Sequence, residues 1–168
     1  MKKIILSQTS FIGAAAFIIV LFSSIFIYAF STGIDGRTLK STAIGCSCHA
    51  SALDPGVIVF ISGPDTVITG QTATYTIEVS ESSKSGAGID VSTRNGVLGV
   101  IDAQTHLSNG EVVQSSNIPM TNHAVIIQFS YTAPGFATTD TIWATGLATN
   151  SNGSLNNDIW NWAPSKRV

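Results

Sequence analysis

The residues best able to do chemistry lie together in the tetrapeptide Cys46-Ser47-Cys48-His49, which holds both cysteines of the chain and one of its three histidines. Two thiols and an imidazole can attach haem, bind a soft metal ion or form a disulfide. The sequence that attaches c-type haem has two residues between its cysteines and a histidine directly after the second. Here Cys48-His49 matches the second half of that sequence, and Cys46 is one residue too close.

The first interpretation is a haem c site, in which Cys46 and Cys48 form thioethers and His49 is the proximal iron ligand. The shorter loop must span the same distance between the vinyl groups, so attachment needs an extended Ser47 or uses Cys48 alone. The candidates for a second axial ligand are His106, His123 and Met120. Each also has an ordinary interpretation: His106 as a solvated loop residue, His123 as the first residue of a strand, and Met120 as a side chain that fills a gap in the packing. This interpretation predicts a small electron carrier with a redox partner.

Two further interpretations are open. In one, Cys46, Cys48 and His49 bind Cu(I) or Zn(II) directly, which requires a tight turn and, for a closed zinc site, a fourth ligand. In the other, no cofactor binds, and the cysteines form a strained disulfide or stay as thiols beside a bystander histidine. The protein is then a surface or adhesion module that contacts cell-surface components. No nucleophile elbow, phosphate loop or EF-hand occurs in the sequence, so we expect no catalytic activity.

The N-terminal region predicts export. Lys2 and Lys3 precede an uncharged stretch whose most apolar part is residues 11–30, the arrangement of a secretory signal that is also long enough to span a bilayer. Residues 1–31 are therefore predicted to be a cleaved signal peptide or a retained hydrophobic helix that anchors the protein in the membrane. The product is expected in the periplasm, at the cell surface or outside the cell. The net charge of −2, without a Lys/Arg cluster, excludes a nucleic-acid-binding protein.

The motif is positioned between two differently patterned regions. Residues 32–56 show no period of two or 3.6 and are punctuated by glycine, which predicts an extended segment that we call the leader. Residues 57–164 contain about seven strand patterns separated by turn residues, best seen at 71–80 and 123–132, where apolar and polar residues alternate. The predicted fold is all-β, a single antiparallel β-sandwich of immunoglobulin-like size. The predicted core residues are Phe60, Tyr75, Ile77, Val79, Ile89, Leu98, Ile127, Phe129, Tyr131, Trp143 and Leu147.

Several stretches, taken in order, resemble the choice-of-anchor V family of bacterial exported domains, which is distantly similar to the Reeler domain. In the leader these are Ser31-Thr32-Gly33, Gly36-Arg37-Thr38 and Gly45-Cys46-Ser47-Cys48-His49. The stretches downstream of the leader are Gly70 to Val79, Ala87 to Val91, Tyr131-Thr132-Ala133-Pro134, and Gly146 through Trp160.

The resemblance implies a Reeler-like β-sandwich of the bacterial cell envelope, without an established catalytic activity. Members of the family are named for attachment through varied C-terminal signals. This chain departs from that pattern, because it stops at Ala163-Pro164-Ser165-Lys166-Arg167-Val168. We therefore expect either the N-terminal hydrophobic helix to be the anchor or the product to be free of the membrane.

Overall fold

Eleven β-strands and no helix make up the part of the chain that the computed structural model describes, which is residues 32–41 and 43–168. The signal peptide or hydrophobic helix predicted for residues 1–31 lies outside the described residues. Within them, no helix is long and apolar enough to cross a membrane. The strands are β1 (Ile58–Ser62), β2 (Thr72–Ser80), β3 (Gly86–Thr93), β4 (Val97–Val100), β5 (Thr105–Ser108), β6 (Glu111–Gln114), β7 (Ile118–Pro119), β8 (Ala124–Thr132), β9 (Thr141–Thr149), β10 (Ile159–Trp162) and β11 (Lys166–Arg167).

The strands form two antiparallel sheets. The smaller sheet has four strands in the order β1-β2-β8-β4. The larger sheet has seven strands: β10-β9-β3-β6-β5 are consecutive neighbours, β11 pairs with β9, and β7 pairs with β3. Buried side chains from both sheets meet in one hydrophobic cluster. The prediction of an all-β chain folded as an antiparallel β-sandwich is therefore confirmed.

Alternating apolar and polar residues explain the central pair of the smaller sheet. Tyr75 and Ile77 of β2 lie directly opposite Phe129 and Ile127 of β8, and all four are buried in the core. Directly opposed residues of an antiparallel pair share a face, so each apolar side chain meets an apolar partner. The Tyr75 and Phe129 rings stack with their centroids 5.9 Å apart. Both strands begin within one residue of the positions that the pattern predicts.

Most of the predicted core is confirmed, and two residues are corrected. Phe60 is 53% exposed, because the alternation of β1 turns Val59 and Ile61 inward and Phe60 outward. Trp143 is only half-buried, because it alternates along β9 with residues that face the core. Leu147 is buried as predicted, although it lies outside the main hydrophobic cluster. The other confirmed core residues are Tyr75, Ile77, Val79, Ile89, Leu98, Ile127, Phe129 and Tyr131.

Asn109-Gly110, a dipeptide typical of hairpin turns, connects β5 to β6. Asn109 has φ 47° and Gly110 has φ 82°, and positive φ at both central positions is what a two-residue type I′ hairpin requires. The sequence pattern does not predict β5, β7, β10 and β11. β7 and β11 have two residues each and β5 and β10 have four, and no alternation stands out in any of them.

Every residue of β3 is buried, and this burial explains where the leader lies. Ala87, Ile89 and Val91 face the hydrophobic core. The alternate residues include Asp90 and Ser92, which point to the opposite face of the sheet and hydrogen-bond leader residues. The leader therefore covers the outer face of the seven-stranded sheet and places the Cys46–His49 motif there.

Candidate functional site

The leader is attached to the sheet by hydrogen bonds along most of its length. Backbone hydrogen bonds fix the leader near both of its ends. Gly33 N–H donates to Gln114 O at 2.7 Å, and Asp54 N–H donates to Trp160 O at 2.8 Å. Between these points, side chains of the sheet do the binding. Glu111 Oε2 accepts from Gly36 N–H at 2.7 Å, Asp90 Oδ2 accepts from Arg37 N–H at 2.6 Å, Thr145 Oγ1 donates to Arg37 O at 2.8 Å, Ser92 Oγ and Thr38 Oγ1 are 2.5 Å apart, and Trp160 Nε1 donates to Ala50 O at 2.8 Å.

A tight turn forms the motif itself. His49 N–H donates to Cys46 O at 2.9 Å, which brings the histidine back towards the first cysteine. Gly45 enters the turn with φ 48°, a conformation that favours glycine. A Cβ at this position would lie 2.2 Å from the Trp160 ring, so the backbone rests against that ring. Trp160 is only 2% exposed and therefore offers a fixed surface for the turn.

The imidazole of His49 is held by a buried carboxylate. His49 Nδ1 lies 3.0 Å from Oδ2 of Asp158, whose side chain is 4% exposed, whereas the His49 side chain is 17% exposed. The other carboxylate oxygen, Oδ1, accepts from Asn150 N–H at 3.0 Å, which fixes its orientation. A carboxylate accepts hydrogen bonds, so Nδ1 carries a hydrogen, and in the neutral imidazole Nε2 is then the nitrogen with the lone pair. Metal-bound histidines use this arrangement, in which one nitrogen is oriented by a carboxylate and the other is the ligand.

The two cysteines lie in different environments. Both are free thiols, so the structure does not have the strained disulfide considered from the sequence. Cys48 is exposed, whereas Cys46 is partly buried. Burial raises the pKa of the Cys46 thiol to about 12. Since the thiolate is the reactive form, Cys46 is chemically quiet in this position and Cys48 is the accessible thiol of the motif.

The three residues that the sequence offers as a second axial ligand each have a different environment in the structure. His123 Nδ1 lies 2.9 Å from Lys84 O, and Met120 packs against the hydrophobic core. His106 lies on β5 directly opposite Val113. Within residues 32–41 and 43–168, no three His, Cys, Asp or Glu side chains come together as a possible metal site. A direct copper or zinc site built from the motif's own three ligands is therefore not assembled in this conformation.

Three acidic residues that hold this region together are not among the site residues predicted from the sequence. Asp158 binds His49, and Asp90 and Glu111 bind the leader backbone. The sequence predicts isolated aspartates to be hydrogen-bonding residues in turns, and Asp54 and Asp102 confirm this by accepting from the N–H two residues later. For Asp90 a signal was present, because a charged residue in the middle of an apolar strand requires a buried polar partner.

Replacing Gly45 with alanine should displace the leader. We expect a loss of about 2–4 kcal/mol in the free energy of unfolding, because positive φ and overpacking against Trp160 both act against a Cβ. The matched control is Gly36→Ala, since Gly36 has φ 75° but no atom within 4 Å of an added Cβ. It should lose only the conformational part, about 1 kcal/mol. Denaturant unfolding monitored by tryptophan fluorescence measures both, and equal losses would contradict the contact between Gly45 and Trp160.

Comparisons with known proteins identify a distant structural neighbour. The chain is similar to the ASH / PapD-like domain of human CEP192 (PapD-like domain 7), with a TM-score of 0.35 and 11% sequence identity, over 69% of this chain and 88% of that chain. No protein-family model matches the sequence, and no curated protein matches it either.

Proposed function

We propose that this chain is an exported, non-catalytic β-sandwich module of the cell envelope that carries one c-type haem on Cys48 and His49. The observation that supports it best is the 3.0 Å contact between His49 Nδ1 and the buried Asp158 carboxylate, which leaves Nε2 as the ligand atom. The exposed thiol of Cys48, directly before His49, is the second support. Haem held there would supply one-electron transfer with a redox partner.

The residues fit this group in part. Cys48 is accessible for one thioether and His49 is oriented for the iron, as the second half of the attachment sequence requires. Cys46 is partly buried with its thiol protonated, so it would have to leave its position against the sheet to form a second thioether. The proposal is therefore attachment through Cys48 alone. Asp158 is a positioning residue, because it acts on the iron ligand through His49.

The cellular part of the proposal comes from the sequence. The basic and apolar pattern of residues 1–31 supports export and either cleavage or an N-terminal membrane anchor. The ordered motifs from Ser31 to Pro164 support membership of the choice-of-anchor V family and a Reeler-like form of the sandwich.

The experiment is expression of the full chain in a bacterium that has haem-attachment machinery. We expect an absorption band of haem that remains with the protein in denaturant. In the Asp158→Ala variant the band should remain in denaturant, but added imidazole should displace His49 from the iron at an about 10–100-fold lower concentration. The control is Asp102→Ala, an exposed aspartate that should change neither result. A colourless wild-type protein would reject the proposal, and an unchanged imidazole titration would reject the role of Asp158.

A second candidate is a surface or adhesion module without a cofactor. The protonated, partly buried Cys46 thiol favours it, because the first cysteine of the motif then serves only to pack the leader onto the sheet. A colourless product in which Cys46 and Cys48 remain as thiols would support this candidate.

A further inference from the structure

Two carboxyl groups lie buried beneath the leader. Asp90 of β3 is 2% exposed and Glu111 of β6 is 6% exposed. The strands are hydrogen-bonded neighbours in which Asp90 pairs with Val113, so Glu111, two residues before Val113, points to the same face as Asp90. Each carboxyl also holds the leader, at Arg37 N–H and Gly36 N–H respectively. The leader is thus attached to the sheet by two adjacent acids.

The geometry around Asp90 favours a proton on its carboxyl group. Its Oδ2 accepts from Arg37 N–H, but its Oδ1 is buried and no hydrogen-bond donor among the described residues reaches it. A buried carboxylate oxygen without a partner is costly, and two neighbouring buried carboxylates cannot both be charged cheaply. A hydrogen on Asp90 removes both costs, since the carboxyl group then donates to Glu111. Burial raises the pKa of Asp90 to about 8, and the charge of Glu111 and the hydrogen bond between the two groups act in the same direction.

The other groups around the pair do not replace this proton. Two leader residues lie near the pair. The negative charge of Asp35 raises the pKa of Asp90 further, and the thiol of Cys46 is protonated and therefore uncharged. Arg37 is the nearby cation, and it reaches Asp90 through its backbone N–H. On the sheet, β9 places the uncharged Thr145 opposite Asp90, and β5 places His106 in the same row beyond Val113.

We propose that the leader is locked onto the seven-stranded sheet by one proton held between Asp90 and Glu111, and that loss of this proton releases the leader. Release separates the Cys46–His49 motif from Asp158, which belongs to the loop between β9 and β10. The lock is a property of the polypeptide and does not depend on haem. It makes the geometry of the motif sensitive to pH.

The direction of the pH effect follows from the raised pKa. Below the ordinary value of 3.8 the closed and released forms are both protonated, so this group does not favour release. Between that value and about 8 the closed form retains a proton that the released form loses, so closure weakens about tenfold for each pH unit. Above about 8 neither form holds the proton and the effect levels off.

The test is the rate at which Cys46 reacts with a thiol reagent in the full chain, with Cys48→Ala in the background so that one thiol reports. The protection factor is the reaction rate of Cys46 in urea divided by its rate without urea at the same pH. The thiolate fraction of an exposed cysteine affects both rates equally, so its pH dependence cancels in this ratio. We expect this factor to fall by about 50-fold from pH 6 to pH 8, because the closed form loses its proton near pH 8. In Asp90→Asn it should fall by at most about twofold, since the amide of asparagine donates to Glu111 at every pH. Protein made without haem-attachment machinery is used, so failure here is distinct from failure of the haem proposal.

Two further variants make every outcome informative. Glu111→Gln should also flatten the profile, because its amide donates to Asp90, and it replaces Asp90→Asn if that variant does not fold. Asp65→Asn removes an exposed acid that pairs with Lys166 and should keep the wild-type slope. A protection factor independent of pH in the wild type, or a full slope in both Asp90→Asn and Glu111→Gln, would overturn the proposal.

Discussion

Asp140→Ala is expected to lower the free energy of unfolding by about 3–5 kcal/mol, the largest loss of stability that we predict for a single polar residue. Asp140 is 1% exposed, and its two carboxylate oxygens accept hydrogen bonds from six groups. Thr93 Oγ1 and Arg94 N–H also donate to Thr141 O, so alanine would leave the other four donors without their acceptor. Each unmade bond costs about 1–3 kcal/mol before relaxation. The donors are Thr93 Oγ1, Arg94 N, Asn95 N, Gly96 N, Tyr131 Oη and Thr141 N, at 2.6–3.2 Å.

Urea unfolding measures this loss, and Asp102→Ala is the matched control. Asp102 is exposed and accepts only from Gln104 N–H, at 2.9 Å, so its replacement should cost no more than about 1 kcal/mol. Similar losses for the two variants would contradict the view that Asp140 organises the turn between β3 and β4.

The stabilisation by Asp140 should also depend on pH, and it should be lost in acid. Burial by itself would raise its pKa, but hydrogen bonds from Thr141 N–H, Gly96 N–H and the Tyr131 hydroxyl favour the carboxylate and bring the pKa below its ordinary value of 3.8. The contribution is therefore present above pH 3.8 and is lost as the pH falls through the lower value of the folded state. The difference between the wild type and Asp140→Ala should shrink in that acidic range.

Cys48→Ala is expected to abolish covalent haem, whereas Cys46→Ala should retain it. Cys48 is the exposed thiol beside His49, and Cys46 is partly buried with a pKa of about 12, so only Cys48 is available for a thioether in this conformation. The measurement is the absorption of each variant in denaturant after expression with haem-attachment machinery. We expect a near-complete loss for Cys48→Ala and a content close to the wild type for Cys46→Ala.

The two cysteine variants are controls for each other, because each removes one thiol two residues from the other. Loss of haem from both would contradict attachment through Cys48 alone and would mean that Cys46 leaves its buried position. Retention in Cys48→Ala would contradict the assignment of the attaching residue. Circular dichroism of both variants checks that the β-sandwich is intact.

Much of the sandwich could be predicted from sequence because its longest strands carry a clear signal. In β2 and β8 the period of two extends over nine residues, and turn residues end it on both sides. The pattern fails where both faces of a strand are apolar or covered. Phe60 lies in a short apolar run and Trp143 in a long strand, so the pattern predicts both to be core residues, yet the register turns both away from the core.

The motif could be found from sequence, but its supporting residues could not. Cys46, Cys48 and His49 are neighbours in the chain, so their spacing suffices to raise a haem, metal or disulfide hypothesis. Asp158 is 109 residues from His49, and only the pairing of β10 with β9 brings it there. The attachment of the leader to the sheet could not be predicted from the sequence either, because hydrogen bonds between a loop backbone and a distant carboxyl group produce no periodic sequence pattern.

The most direct test of the central claim is the intact mass of the full chain made with and without haem-attachment machinery, measured in denaturant. We expect a gain equal to the mass of one haem only when the machinery is present, and no such gain in Cys48→Ala. A product whose mass is that of the unmodified polypeptide, or lower by two hydrogens as in a disulfide, would contradict it.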